Sequence, residues 1–398
     1  MKRRIGAALL LAVLLFPLGA LALTQEQRDE ADKYFLNMFY RAEVISGAVL
    51  INRAGQREYA FYYGGQNKSR DYPVTDETVF KVASVSKLIS AVGVMRLVEE
   101  GKLDLDAPLH SDSGQIIRNP FFPESDVTLR QAMSHTTSLL PTAPYTDRPR
   151  WDRLDQTDKT YFGRYAPGSQ YRYANLNGGI LCSEAERVTG LNFNDYMAQS
   201  VFAPLGINAA YAAHLLPDPS KLANTYRPDG IVYLSGAKYM EQDEQEFDPA
   251  CDPGGHYRLS VGGLYISLAG LEKIGIALAG NGTVDGYPLL SAASVRLMRR
   301  DQAAVPGSSV TGESPYGLCV YRFTLENGQT WYGHQGRWEG LLADIFWEPE
   351  NEAVMVFVMN GLEVSYSGKE VASRAEKALN HISDWLGHEE PSFVVEDD

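Results

Sequence analysis

Segments with strand character occur near both ends of this chain, while the residues between them favour helices and irregular structure. The strand-like segments are residues 47–52, 58–63, 318–326, 329–333, 341–347 and 353–359. Asn327-Gly328 is the dipeptide most typical of tight hairpins, and it separates two of them. Because strands need neighbouring strands as hydrogen-bonding partners, the strands near one end are expected to pair with those near the other. The pattern therefore predicts one antiparallel sheet assembled from the two termini.

The expected fold class is therefore mixed α and β, with an antiparallel sheet flanked by helices and an inserted α-rich domain. Residues 23–105 and 256–398 are assigned to the sheet domain, and residues 106–255 to the insertion. A chain of 398 residues is long enough for two packed domains.

Apolar residues recur at helical spacing in several places outside the strand-like segments. The predicted helices are residues 25–40, 84–99, 129–134, 176–189, 271–278 and 369–386. Residues 241–252 are acidic, and we interpret them as a solvated loop. Calcium binding is the alternative there, but the spacing of an EF-hand loop is absent.

The N-terminus has the three parts of an export signal. Lys2, Arg3 and Arg4 precede an apolar run over residues 5–18, and Ala20-Leu21-Ala22 forms a small-x-small cleavage site. We expect cleavage before Leu23 and an extracytoplasmic protein that is secreted or periplasmic. An uncleaved membrane anchor is the alternative, and without it no stable membrane partner is expected.

Removal of residues 1–22 takes away three positive charges and no negative ones, so the formal net charge changes from −14 to −17. Such an acidic protein repels phosphate backbones, and nucleic acid is therefore not an expected partner. The spacing of Cys182, Cys251 and Cys319 matches no zinc site, and we favour buried thiols over a disulfide. Neither HExxH nor GxSxG occurs. No metal and no cofactor are expected.

Two Ser-x-x-Lys sequences occur in the chain, and their surroundings differ. Ser84-Val85-Ser86-Lys87 opens a strongly periodic helix, where positions i and i+3 share a face and the N-terminus carries positive potential. That setting favours a developing anion and a lysine with a lowered pKa. Ser235-Gly236-Ala237-Lys238 stands beside the acidic stretch with no helical period after it. We therefore select Ser84 as a candidate nucleophile, although an ordinary helix N-cap serine is the alternative.

Two further motifs supply groups that acyl transfer needs. Tyr173-Ala174-Asn175 combines a phenol, able to relay a proton beside a cation, with an amide able to pair with a carbonyl. His334-Gln335-Gly336 follows the Asn-Gly hairpin, so we expect it on or next to a strand, where glycine allows close approach of a ligand. Lys273-Ile274-Gly275 has a similar form but falls inside a helical pattern.

Together these motifs resemble those of the serine β-lactamase and penicillin-binding-protein superfamily, in particular the class C β-lactamase and D-alanyl-D-alanine carboxypeptidase branch. The resemblance extends over about residues 40–360. Its other segments are residues 80–87, 100–106, 129–136, 167–175 and 262–267.

The resemblance implies roles for individual residues. Ser84 is expected to be the acylated nucleophile, Lys87 and Tyr173 to handle protons, and Asn175 to hold the substrate amide. His334 stands where many relatives carry lysine, near the position that recognises a carboxylate.

The rest of the third motif is expected to bind substrate as well. The backbone N–H groups of Ser84 and Arg337 are expected to form the oxyanion hole beside Gly336. Gln335 replaces the usual threonine or serine, and Arg337 replaces a smaller residue.

The function implied is an exported serine hydrolase acting through an acyl-enzyme on Ser84. Its expected partner is a small-molecule or peptide substrate, namely a D-amino-acid peptide, as for a carboxypeptidase, or a β-lactam. Two alternatives stay open: a carboxylesterase using the same site, and a penicillin-binding sensor that is acylated without turnover.

Overall fold

The structure is a computed structural model. It describes residues 23–68, 71–110, 116–143, 159–249, 255–302, 316–325 and 327–363, together with Ala378 and Ile382. The predicted export signal and Cys251 lie outside the described residues, as does nearly all of the predicted helix over residues 369–386.

In chain order the helices are α1 (Gln25–Arg41), α2 (Val85–Glu99), α3 (Leu129–Met133), α4 (Asn175–Thr189), α5 (Phe193–Met197), α6 (Gly236–Glu246), α7 (Arg258–Gly262), α8 (Leu268–Ala279) and α9 (Ala292–Arg299). Five of the predicted helices lie among the described residues, as α1, α2, α3, α4 and α8, and they begin and end close to the predicted positions. Thr24 caps α1 with a capping box, and Thr128 caps α3 in the same way.

The longer strands come from the two ends of the chain, and short strands lie between them. In chain order they are β1 (Ser46–Arg53), β2 (Gln56–Tyr63), β3 (Val79–Lys81), β4 (Ala209–Ala210), β5 (Thr225–Tyr226), β6 (Val232–Leu234), β7 (Tyr265–Ser267), β8 (Thr283–Val284), β9 (Tyr287–Pro288), β10 (Tyr321–Thr324), β11 (Thr330–Trp338), β12 (Leu341–Glu348) and β13 (Ala353–Asn360).

One antiparallel sheet of six strands joins the two ends, in the order β10-β11-β12-β13-β1-β2. Strand β1 pairs with β13 from Ser46 opposite Asn360 to Arg53 opposite Ala353. The predicted hairpin at Asn327-Gly328 is present as β10–β11, and β1 pairs with β2 in a second hairpin. The predicted mixed α and β class, with a sheet built from both termini, is therefore confirmed.

The two faces of the sheet are covered by different helices. Ala343, Ile345 and Val356 belong to a large apolar cluster that continues into α2, α4 and α8. Leu342, Phe357 and their neighbours pack against Phe35 and Phe39 of α1. Since strand side chains alternate between faces, the β11 residues that pair with Ala343 and Ile345 face α2.

The large cluster also joins the sheet to the predicted insertion, because it contains Leu50 of β1 and Leu181 of α4. The predicted domain boundaries at residues 105 and 255 stay a prediction. None of the helices in the described part of the chain is long and apolar enough to cross a membrane.

One element of the prediction is wrong. Residues 241–246 form the second half of α6 instead of a loop, and α6 begins directly after Ser235. Apolar residues are sparse there: only Gly236 and Tyr239 of α6 are buried, and the exposed face carries nearly all of the charged residues. The N-cap serine was the available signal for this helix.

Candidate active site

Ser84 lies at the start of α2 in a strained turn. Ala83, the residue before it, has a φ of 45°, a left-handed conformation that is unfavourable for alanine. The Ser84 side chain makes no capping hydrogen bond, although it occupies the N-cap position. Ser235, by contrast, accepts a hydrogen bond from the Lys238 backbone and caps α6. The Ser84 hydroxyl is thus available for another interaction, while that of Ser235 has an ordinary structural role.

That interaction is with Lys87, one turn along α2. The Lys87 ammonium donates to Ser84 Oγ at 3.1 Å and to the backbone carbonyl of Val261 at 2.6 Å. The lysine side chain is fully buried, and this burial lowers its pKa to about 7. Near neutral pH a substantial fraction of Lys87 is therefore uncharged and able to accept a proton.

Three helices enclose the Lys87 side chain. Gly178 of α4 is so close that a Cβ there would lie 3.0 Å from Lys87 Cε. The Ser260 hydroxyl on α7 donates to the carbonyl of Gly178 at 2.6 Å and so joins α7 to α4. Val261 on α7 then presents its carbonyl to the amine. A Cβ on residue 178 would force the lysine side chain to shift, so glycine favours this packing, and the paired glycines 178 and 179 were a signal in the sequence.

Tyr173 and Asn175 lie where α4 begins. Ala174 between them is extended, Asn175 is the first helical residue, and both flanking side chains are half-buried. Lys87 Nζ is 5.3 Å from the centroid of the Tyr173 ring. The hydroxyl of Ser84, the amine of Lys87 and the phenol ring of Tyr173 therefore share one site.

His334 lies on β11, fully buried, on the face toward α2. Its Nδ1 lies 2.8 Å from the carbonyl oxygen of Gln335, so Nδ1 carries the proton. Its Nε2 accepts from the Tyr316 hydroxyl at 3.2 Å. Burial, reinforced by the charge of Lys87, lowers the pKa of His334 to about 3, and the ring is therefore neutral.

Gly336 brings β11 against the turn before Ser84. A Cβ at this position would overlap the carbonyl oxygen of Val82 and lie 3.2 Å from the backbone nitrogen of Ser84. The strand can therefore lie beside the Ser84 N–H only because residue 336 is glycine.

Gln335 and Arg337 alternate with Gly336 and project from the other face of β11. The Arg337 guanidinium donates to Gln335 Oε1 at 3.4 Å. Asp344, opposite Gln335, is fully buried, and that burial raises the pKa of its carboxyl well above the usual value, with a smaller opposing effect from Arg337. The predicted substrate-binding roles of Gln335 and Arg337 stay predictions.

Several residues of the site were not selected from the sequence as functional. Four of them are aromatic: His135 and Tyr321 lie against the Tyr173 ring, and Tyr171 and Tyr316 lie against the His135 ring. Tyr316 and Val261 have no sequence signal of their own, because their contacts arise only when distant segments meet. Lys273, in the rejected Lys-Ile-Gly sequence, lies on α8 as predicted.

Cys182 and Cys319 are both buried, and no disulfide joins them to each other. The Cys182 thiol donates to the carbonyl of His256 at 3.1 Å. Burial raises the pKa of Cys319 to about 12, so this thiol is protonated at neutral pH. Among the described residues no group of three or more His, Cys, Asp or Glu is placed to hold a metal ion.

The arrangement can support acyl transfer to a serine. A hydroxyl at a helix N-terminus faces an amine that exchanges a proton near neutral pH, and a half-buried phenol lies beside them. The neighbouring strand presents its backbone next to the Ser84 N–H, where an oxyanion would form.

Comparison with known proteins points to one family. The model of the family described as Beta-lactamase matches residues 26–379. The chain is 25% identical to penicillin-binding protein 4* of Bacillus subtilis, over 51% of this chain and 45% of the relative. It is 26% identical to the D-alanyl-D-alanine-carboxypeptidase/endopeptidase AmpH of Escherichia coli, over 45% and 48% respectively. These matches therefore span about half of the length of the curated relatives.

Among solved structures, an octameric penicillin-binding protein homologue from Pyrococcus abyssi has the same fold. The TM-score is 0.66 at 20% identity, and the match covers 88% of this chain and 77% of that one. At this identity the likeness concerns the fold alone.

Replacing Gly336 by alanine should lower the free energy of unfolding by about 1–3 kcal/mol, because the new methyl group meets the Val82 carbonyl. Denaturant unfolding measures this change. Gly262→Ala is the matched control, since a Cβ there makes only ordinary contacts of 3.6–3.7 Å with Ala83 in the same turn. Equal destabilisation by both substitutions would contradict the close approach of β11 to Ser84.

Proposed function

The chain belongs to the beta-lactamase family, and from this membership and the geometry around Ser84 we propose that it is a serine hydrolase working through an acyl-enzyme. One observation carries the proposal: Ser84 Oγ lies 3.1 Å from the buried amine of Lys87, whose pKa is lowered to about 7. A hydroxyl becomes a nucleophile when a base of matched pKa can take its proton.

In the proposed acylation step, Ser84 Oγ attacks the carbonyl carbon of the substrate, and neutral Lys87 accepts the hydroxyl proton. The Val261 carbonyl holds one N–H of Lys87, so the nitrogen lone pair can point toward Ser84. Collapse of the tetrahedral intermediate breaks the bond to the leaving group, which takes up a proton. The acyl group then remains on Ser84 as an ester.

Tyr173 and Asn175 are proposed to act on the substrate side of this centre. The phenol of Tyr173, beside the Lys87 amine, is proposed to relay the proton to the leaving group. Asn175 is proposed to bind the substrate amide, and the N–H groups of Ser84 and Arg337 to stabilise the oxyanion. Water then attacks the acyl carbon, the same groups accept its proton, and Ser84 is released.

We propose a D-amino-acid peptide or a β-lactam as the substrate class. The names of the relatives support this choice, since they include a D-alanyl-D-alanine carboxypeptidase and a penicillin-binding protein. The proposed place of action is outside the cytoplasm, supported by the sequence of residues 1–22.

A carboxylesterase is the second candidate, and the state of His334 favours it. His334 is neutral, with Nε2 occupied by the Tyr316 hydroxyl, so it offers no positive charge to a substrate carboxylate. Arg337 projects from the opposite face of β11. A site of this kind suits an uncharged acyl group at least as well as one that ends in a carboxylate.

Ser84→Ala should lower hydrolysis by about 10⁴-fold or more and abolish labelling by a fluorescent penicillin, because no nucleophile remains. Intact-mass spectrometry after incubation with a penicillin, a D-Ala-D-Ala peptide and a p-nitrophenyl ester reports acylation and turnover for each. Ser235→Ala should keep activity within threefold and cost about 1 kcal/mol of stability, since Ser235 only caps α6. Labelling that persists in Ser84→Ala would exclude the proposed nucleophile, and stable acylation without turnover would identify a sensor.

The rate of acylation should rise with pH through an apparent pKa near 7, because only uncharged Lys87 accepts the proton. Below this pKa the rate should fall about tenfold per pH unit, and above it the rate should level off. Lys87→Arg stays protonated and should be inactive throughout the range. A profile in the parent enzyme that is flat between pH 5 and 8 would show that Lys87 is not the base.

The two candidate substrate classes differ in their response to charge. The test uses two p-nitrophenyl esters, one that ends in an amide and one that ends in a carboxylate. If the protein is a carboxylesterase, its kcat/KM should be at least tenfold higher for the ester that ends in an amide. Arg337→Gln should leave that ratio unchanged. If Arg337 binds a carboxylate, the same substitution raises KM for the acidic ester selectively, and the peptidase assignment is then favoured.

A further inference from the structure

His135 is a buried imidazole beside the proposed site, and the steps above do not use it. It lies two residues after the end of α3, is 1% exposed, and adopts a φ of 55°. Histidine tolerates this left-handed conformation better than most residues, but the conformation is still uncommon. Strained residues beside a reactive centre often have a functional reason.

A chain of hydrogen bonds fixes the proton on the His135 ring. The Thr137 hydroxyl donates to Asn177 Oδ1 at 2.7 Å and itself accepts from the Leu139 backbone. Asn177 therefore presents its amide nitrogen to His135 Nδ1, at 3.1 Å. The backbone N–H of Ala174 also donates to Nδ1, at 3.3 Å. With two donors on Nδ1, the ring proton is on Nε2.

The face of the same ring packs on Tyr173. The two ring centroids are 4.2 Å apart with an angle of 31° between the planes, the shortest separation among the rings around Tyr173. Because Ala174 follows Tyr173, the ring and the backbone of this segment are held by a single imidazole. The next residue is Asn175, the proposed amide-binding residue.

The imidazole must also be uncharged for this arrangement. Burial, and then the nearby charge of Lys87, lower the pKa of His135 well below its usual value. His135 Nε2 is buried and has no hydrogen-bond partner among the described residues. A neutral ring leaves Lys87 as the group that exchanges a proton in this part of the site.

We propose that His135 is the positioning residue for Tyr173: with its proton held on Nε2, the imidazole anchors the backbone at Ala174 and supports the Tyr173 ring beside Lys87. The inference rests on the proposed function, because it concerns how that site is assembled. It also gives Thr137 and Asn177 a role, since they orient the acceptor nitrogen of His135.

The substitution His135→Asn distinguishes the contribution of the imidazole ring from that of its acceptor nitrogen. Asparagine tolerates a positive φ, and its Oδ1 can take the place of Nδ1, so the hydrogen bonds survive while the ring contact is lost. The acylation rate by a p-nitrophenyl ester should fall about 10- to 100-fold, with a melting temperature close to that of the parent. Water that enters the vacated space should raise the pKa of Lys87, and the acid limb of the pH profile should move to higher pH.

A double-mutant cycle tests whether His135 acts through Tyr173. In a Tyr173→Phe background, His135→Asn should change the rate less than threefold, because the hydroxyl to be positioned is already absent. An equal loss in both backgrounds, or no loss in the parent background, would overturn the inference. His135→Phe keeps a ring but removes the acceptor, and should also be slow.

A measurement independent of activity distinguishes failure of the inference from failure of the proposed function. Nitrogen NMR of the parent protein labelled at histidine should show a neutral His135 ring with the proton on Nε2, and Thr137→Val should perturb that signal. A proton on Nδ1 would overturn the inference even in a protein without turnover. If the parent protein is not acylated at Ser84, the proposed function fails, and the NMR result still decides whether His135 is held as described.

Discussion

The burial of one amine organises this structure. Transferring an ammonium group from water into a protein interior costs several kcal/mol, unless the group loses its proton or finds partners. Lys87 has two partners, the Ser84 hydroxyl and the Val261 carbonyl, and its pKa is lowered to about 7. The apolar packing of α2 against α4 and α7 keeps water away from this amine.

The same packing explains why glycines stand at several contacts. Gly178 lets α4 approach Lys87, and Gly336 lets β11 approach the turn before Ser84. Helix α4 and strand β11 thus approach α2 at two positions where larger side chains would crowd the contact. His334 and His135 are both neutral in this site. A positive charge on either buried ring would destabilise a protonated Lys87 further.

Much of the fold could be predicted from local patterns. Runs of residues with strand character and the Asn327-Gly328 turn indicated β10 to β13, and helical periodicity indicated α2 and α8. Helix α6 was missed because its sequence is mostly charged and polar, and with only Gly236 and Tyr239 buried few apolar residues mark the helical repeat. The two Ser-x-x-Lys sequences show the limit of a motif: Ser235 caps its helix, whereas Ser84 leaves its hydroxyl to Lys87.

By itself the sequence determined the chemical groups and their order along the chain. Strand patterns, helix patterns and short motifs could also be recognised, because they depend on neighbouring residues. The sequence also determined that a helix begins after Ser84 and that a strand carries His334. Only the tertiary structure decided the pKa of Lys87, the proton positions on two imidazoles and the face from which Arg337 projects. These properties depend on burial and on partners distant along the chain, and neither exists before the chain has folded.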